Sequence, residues 1–166
     1  MRALGAHSHF ATAQSPRHFR DIVANATVKL SRHKTAVAKF RCILLRMPTI
    51  LLIDDFDFAL ESESDFFEAA GFRVLTASSG REGLELLGRE QVDAILTDYE
   101  MPYMTGLEVA ARARQLNPSV PVVIYSGSAE NIDSPFVAAW LMKTKQMNEV
   151  RLKIEELISA KTALAP

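Results

Sequence analysis

Cysteine is almost missing from this chain. Cys42 stands alone, so no disulfide can close within one molecule, and without a C-x-x-C pair or a His-rich box a standard structural metal site is excluded too. Long hydrophobic runs are also missing. No stretch approaches the roughly 20 apolar residues needed to cross a bilayer, and the basic N-terminus lacks the continuous apolar core of a secretory signal. With only 7 Gly and 7 Pro there is no low-complexity tract, and no internal repeat is visible. These absences predict a cytoplasmic protein with no membrane partner. What is present, 166 residues at 48% hydrophobic, suffices for one ordinary domain with a proper core.

Acidic residues are nearly missing from the first part of the chain. Residues 1–46 hold nine Lys/Arg and a single acid, Asp21, together with all four histidines, His7, His9, His18 and His33. The rest of the chain holds ten Lys/Arg against nineteen Asp/Glu. Segments of such different chemistry are not expected to share one core, and 1–46 shows only faint helical periodicity around Ile22, Val23, Val28 and Leu30. It reads as a basic N-terminal extension, for which three origins are open: a misassigned start, translation beginning at Met47; a disordered arm that contacts polyanions; or an organelle-type targeting segment. The histidine spacings match no standard metal-ligand set.

From Thr49 onward the punctuation is regular. Apolar runs at 49–53, 72–76, 94–97, 120–125 and 140–142 read as strands. Helical periodicity marks 57–70, ended by Gly71, then 80–88, 105–117, ended by Asn117-Pro118, and 149–160. Alternation of this kind predicts an α/β fold, a parallel sheet covered on both faces.

Four of the runs end on chemistry. Leu51-Leu52-Ile53 leads to Asp54-Asp55, Ala94 to Thr97 leads to Asp98, Val122 to Tyr125 leads to Ser126, and Trp140 to Met142 leads to Lys143. In an open α/β sheet the carboxyl ends of the strands converge on one crevice. Three carboxylates there repel one another by roughly 4 kcal/mol per close pair at an effective dielectric near 20, unless a cation intervenes. Mg2+ suits such a set of hard oxygens and bridges to phosphate. Read singly, each residue has a plainer explanation: Asp54-Asp55 as a turn or helix cap, Ser126 as a loop serine, Lys143 as a surface lysine, Trp140 as core. Phe56, Phe66 and Phe67 read as packing alone.

Taken in order, Ile53-Asp54-Asp55, Asp93 to Gly106 with Met101-Pro102 inside it, Tyr125-Ser126-Gly127 and Trp140 to Lys143 resemble the receiver domain of two-component response regulators. The resemblance covers 49 to about 160, within a domain running from 47 to 166. It implies a flavodoxin-like, doubly wound five-stranded parallel sheet of order 2-1-3-4-5. It further implies Mg2+ held by Asp54, Asp55, Asp98 and the backbone carbonyl of Glu100. Asp98 becomes the phosphoacceptor, Lys143 and Ser126 assist, and Ser126 with Trp140 forms the switch. Glu100 and Ser128 would tune the lifetime of the aspartyl phosphate.

The implied donor is a sensor histidine kinase or a histidine phosphotransfer protein, and the output is a downstream protein target not named by the sequence. The implied role is a stand-alone signalling protein of phosphorelay signal transduction rather than an enzyme, catalysing at most its own phosphorylation and dephosphorylation. An acidic domain without a basic recognition helix is not expected to bind nucleic acid.

Some positions depart from the pattern. Thr144 follows Lys143 where the family usually has proline, so a trans peptide is expected and Lys145 becomes a fallback for Lys143. The stretch 128–139 is short and contains Pro135, which predicts a shortened fourth helix between the fourth and fifth strands. Two other readings stay open: a degenerate receiver acting as an unphosphorylated protein-binding module, and a haloacid-dehalogenase-type phosphotransferase suggested by Asp55-Phe56-Asp57. The latter lacks its expected Thr, since Phe58 and Ala59 follow Asp57.

Overall fold

Five short apolar segments pair as one parallel sheet in the computed structural model, which describes residues 46–128 and 132–163. The expectations for residues 1–45 lie outside the described residues. The strands are β1 (Thr49–Ile53), β2 (Arg73–Ala77), β3 (Ala94–Thr97), β4 (Val122–Ser126) and β5 (Ala139–Met142), in the order β2-β1-β3-β4-β5. The helices are α1 (Asp57–Ala69), α2 (Gly80–Arg89), α3 (Gly106–Leu116) and α4 (Met147–Ala163). The expected flavodoxin-like topology is therefore observed.

Strand alternation divides the core in two. Leu51, Ile53 and Ile95 face α2 and α3, where they meet Leu87, Val109 and Ala113. Ile50, Leu52 and Val123 face the other side and meet Leu60 and Phe67 of α1 with Val150 and Ile154 of α4. The three central strands are buried along their whole length, which explains why they read as continuous apolar runs.

The ends of elements differ slightly from expectation, for local reasons. Strand β2 starts at Arg73 because the N–H of Phe72 closes α1 on the carbonyl of Phe67 (3.0 Å), with Gly71 at φ +90°. Strand β4 starts after Pro121, which has no N–H to give the ladder, and runs through Ser126. Thr105 and Glu108 form a capping box that starts α3; the hydrogen bonds from Thr105, backbone first, hold the Glu108 carboxyl below its usual range. Helix α4 is longer than expected at both ends.

Between β4 and β5 the described residues carry no helix. Residues 132–138 make only a turn, in which Val137 N–H donates to Ser134 O (3.1 Å). No peptide among the described residues is cis, so Lys143-Thr144 is trans. Among the described residues no helix is long and apolar enough to cross a membrane.

Candidate functional site

The parallel register puts the ends of β1 and β3 side by side. Ile53 pairs with Thr97, the next residue on each strand is an aspartate, and Asp98 N–H donates to Ile53 O (2.8 Å). Strand β5 joins from the far side of β4, where Lys143 N–H donates to Ser126 O (2.7 Å). The topology thus brings together groups 89 residues apart in sequence.

Lys143 lies between two carboxylates. Its Nζ donates to Asp54 Oδ2 at 2.6 Å and lies 2.8 Å from Asp98 Oδ1. The remaining oxygens are held by backbone: Phe56 N–H donates to Asp54 Oδ1 (2.8 Å) and Glu100 N–H to Asp98 Oδ2 (2.7 Å). Asp54 is 3% exposed and Asp98 8%, and each carboxylate is held at both oxygens, one by a backbone N–H and one by the Lys143 ammonium. Burial lowers the Lys143 ammonium, but hydrogen bonds to Asp54 and then Asp98, with their charges, push it up to about 12. It stays a cation across the physiological range.

Other expected residues stand further out. Asp55 is exposed at the mouth, and the exposed Glu100 contributes its backbone N–H. Ser126 is buried, its Oγ accepting from Ser128 N–H (3.1 Å) and 3.3 Å from Ser128 Oγ, not on the Asp54–Lys143–Asp98 cluster. Lys145, the fallback, is exposed and pairs with Glu149 (2.8 Å), so Lys143 alone enters the site. Trp140 is half-buried rather than core. Its ring lies 5.1 Å from Tyr99, the residue after Asp98, and its buried Nε1 finds no acceptor among the described residues.

Phe67 packs as expected, with Phe66 beside it, but Phe56 does not: it is 63% exposed, because it precedes the first turn of α1 and faces away from the sheet.

One residue in this region escaped the sequence reading. Glu63 occupies the inward face of α1 between Leu60 and Phe67 and is only 9% exposed. Burial first, then the charge of Asp54, raises its carboxyl to about 7. The same apolar surroundings, with the charge of Glu63 second, raise the Tyr125 hydroxyl. The signal was present: an acidic residue interrupts an apolar stripe at i, i+3 and i+7.

The response regulator receiver domain model matches residues 50–152. The chain belongs to the response regulator receiver family. Transcriptional regulatory protein GlrR of Escherichia coli K12 is 37% identical over 75 residues, which are 45% of this chain and 17% of GlrR, so the match spans about a sixth of that relative. A CheY-like receiver domain protein of Methanospirillum hungatei JF-1 superposes with TM-score 0.68 at 26% identity, over 72% of this chain and 100% of that one. A response regulator protein of Thermotoga maritima, solved in complex with Mg2+ and BeF, shares the fold at TM-score 0.63 and 24% identity, over 67% of this chain and 99% of that one. Receivers are signalling modules.

Among the described residues no group of three or more His, Cys, Asp and Glu converges as a ready metal cage. The donor chemistry still fits a hard divalent cation. Two oxyanions are held around one positive charge, that of Lys143, and the exposed Asp55 adjoins them.

Proposed function

We propose that the receiver accepts a phosphoryl group on Asp98 from a phosphohistidine, and that the modified domain then changes its binding to a downstream protein or passes the phosphoryl group on. The observation that carries this reading is the pair of buried carboxylates, Asp54 and Asp98, fixed about the ammonium of Lys143 at the carboxyl ends of β1 and β3. One of them must be nucleophile and the other must not compete. The Asp98 oxygen facing Lys143 attacks phosphorus, the P–N bond to the imidazole breaks, and the imidazole leaves with the electron pair and takes up a proton. Lys143 balances charge on the transferring oxygens, and the N–H of Glu100 keeps the other Asp98 oxygen out of the way. Ser126 rotates from Ser128 to hydrogen-bond a phosphoryl oxygen.

Asp54, Asp98 and the carbonyl of Glu100, with Asp55 directly or through water, would hold Mg2+. The ion supplies charge neutralisation at the transferring group. The donor is a sensor histidine kinase or a histidine phosphotransfer protein. Residues 47–166 act as the receiver, and residues 1–46 are a basic N-terminal extension to it.

The test is intact mass of the full chain after acetyl phosphate, with and without Mg2+. One Mg2+-dependent, hydroxylamine-sensitive phosphoryl group is expected, lost in Asp98→Ala. An adduct that survives Asp98→Ala, or none in folded protein from either acetyl phosphate or a panel of phosphorylated histidine donors, overturns the reading.

Trp140 provides a second readout. Its ring contact with Tyr99 ties its environment to the residue beside Asp98, so emission should change in step with labelling. A flat signal in protein shown by mass to be phosphorylated removes Trp140 from the switch.

A further inference from the structure

Lys143 stands on a turn that its own residues do little to stiffen. The four residues joining β5 to α4 are Lys143-Thr144-Lys145-Gln146, with neither proline nor glycine among them. Strand β5 is four residues long and lies at the edge of the sheet, hydrogen-bonded to β4 alone. Backbone bonds start the turn: Lys143 N–H donates to Ser126 O (2.7 Å) and Lys145 N–H to Met142 O (2.9 Å). The side chain of Lys145 turns away to the exposed Glu149 of α4 (2.8 Å).

A side chain from β4 reaches this turn. Tyr125, paired in register with Leu141, donates its hydroxyl hydrogen to Lys145 O (3.3 Å), 20 residues further along the chain. Tyr125 is only 6% exposed and belongs to the apolar cluster of Leu52, Leu60, Phe67, Val150 and Ile154. In that setting phenylalanine would fill the same space, and a buried hydroxyl is destabilising unless it is bonded. Burial, with the charge of Glu63 second, raises the hydroxyl above its usual range, so it remains a donor. A polar atom set in an apolar cluster and bonded to one carbonyl beyond the strands marks a position kept for what it holds.

What it holds is the base of Lys143. The accepting carbonyl lies two residues after Lys143, whose ammonium meets Asp54 Oδ2 at 2.6 Å and Asp98 Oδ1 at 2.8 Å. A long flexible side chain keeps two such contacts only while its backbone stays in place. We infer that Tyr125 is a positioning residue for Lys143: its hydroxyl ties the turn after β5 to β4 and so keeps the ammonium on Asp54 and Asp98. This rests on the phosphoacceptor reading above, in which the same ammonium balances charge on the transferring group.

Tyr125→Phe removes the hydroxyl and keeps the ring. The full-length parent, Tyr125→Phe, Lys143→Ala and the double variant are labelled with acetyl phosphate at saturating Mg2+, and each is titrated with Mg2+. A looser turn should slow labelling by about three- to tenfold, the worth of one hydrogen bond. It should also tighten Mg2+ binding, because a wandering ammonium competes less for the two carboxylates. Neither effect should appear when Tyr125→Phe is added to Lys143→Ala, where no ammonium is left to aim.

Labelling and Mg2+ affinity equal to the parent in Tyr125→Phe overturn the inference. So does an equal slowing in the Lys143→Ala background, which would show that the hydroxyl acts on packing rather than through Lys143. A parent that binds Mg2+ but is labelled neither by acetyl phosphate nor by phosphorylated histidine donors removes the phosphoacceptor reading instead, and the Mg2+ titrations then decide the role of Tyr125 by themselves. A parent that does neither overturns both.

Discussion

Lys143→Ala should slow phosphorylation of Asp98 by about 100-fold or more while making the metal-free protein less stable and its grip on Mg2+ tighter. All three effects have one cause. Lys143 is the cation that two buried carboxylates already have, at 2.6 and 2.8 Å. Removing it leaves Asp54 and Asp98 facing each other, a repulsion of about 3 kcal/mol at an effective dielectric near 20. The side chain of Lys143 is 31% exposed, so solvent screens part of this, and a loss of about 1–3 kcal/mol is expected in chelator.

Mg2+ should restore most of that loss, because binding to the native state alone stabilises it by mass action. Urea unfolding with chelator and with Mg2+, beside a Mg2+ titration, measures it. Equal metal-free stability and equal Mg2+ affinity in the parent and Lys143→Ala would show that the ammonium is not the charge the carboxylates depend on. Lys145→Ala serves as control, since its partner Glu149 is exposed and neither property should move.

Glu63→Leu should stabilise the domain by up to about 3 kcal/mol at pH 8 and by little at pH 5. The carboxyl titrates at about 7 in the fold against 4.5 unfolded. Between these values the native state keeps a proton that the unfolded chain releases. Stability therefore falls as pH rises through this window, by about 1.4 kcal/mol per unit, and levels off above 7. A full 2.5-unit gap is worth about 3 kcal/mol, an upper figure for a group this near other charges.

Leucine removes the titration and adds apolar contact beside Leu60 and Phe67. Urea midpoints from pH 5 to pH 8, in chelator to keep metal out of the comparison, provide the measurement. Parallel pH profiles for the parent and Glu63→Leu would refute the assignment. Glu63→Gln, close in shape but uncharged, should flatten the profile with a smaller gain, which separates the charge from the packing.

Much of this protein could be read from its sequence. The five strands, the four helices and the groups that end the strands, Asp54, Asp98 and Lys143 among them, follow from apolar runs and turn residues, while the sheet order followed from the resemblance. These are local properties, and parallel strands carry whatever ends them to the same edge of the sheet.

The departures share a different character. Trp140 is half-buried rather than core, with its ring on Tyr99, because residues 132–138 lay no helix over it. Phe56 lies in solvent, one residue before α1, although Leu60 and Phe67 further along that helix are core. Glu63 is buried although it is acidic, because the inward face of α1 is covered by the sheet whatever residue occupies it.

The sequence by itself determined which elements form and which reactive groups end the strands, since backbone propensity and side-chain period act over a few residues. The tertiary structure alone decided which group meets which: that Lys143 bridges Asp54 and Asp98, that Ser126 waits on Ser128, that Glu63 loses its water and Phe56 keeps it. Burial and charge pairing depend on neighbours tens of residues away, and only the packed sheet brings those neighbours together.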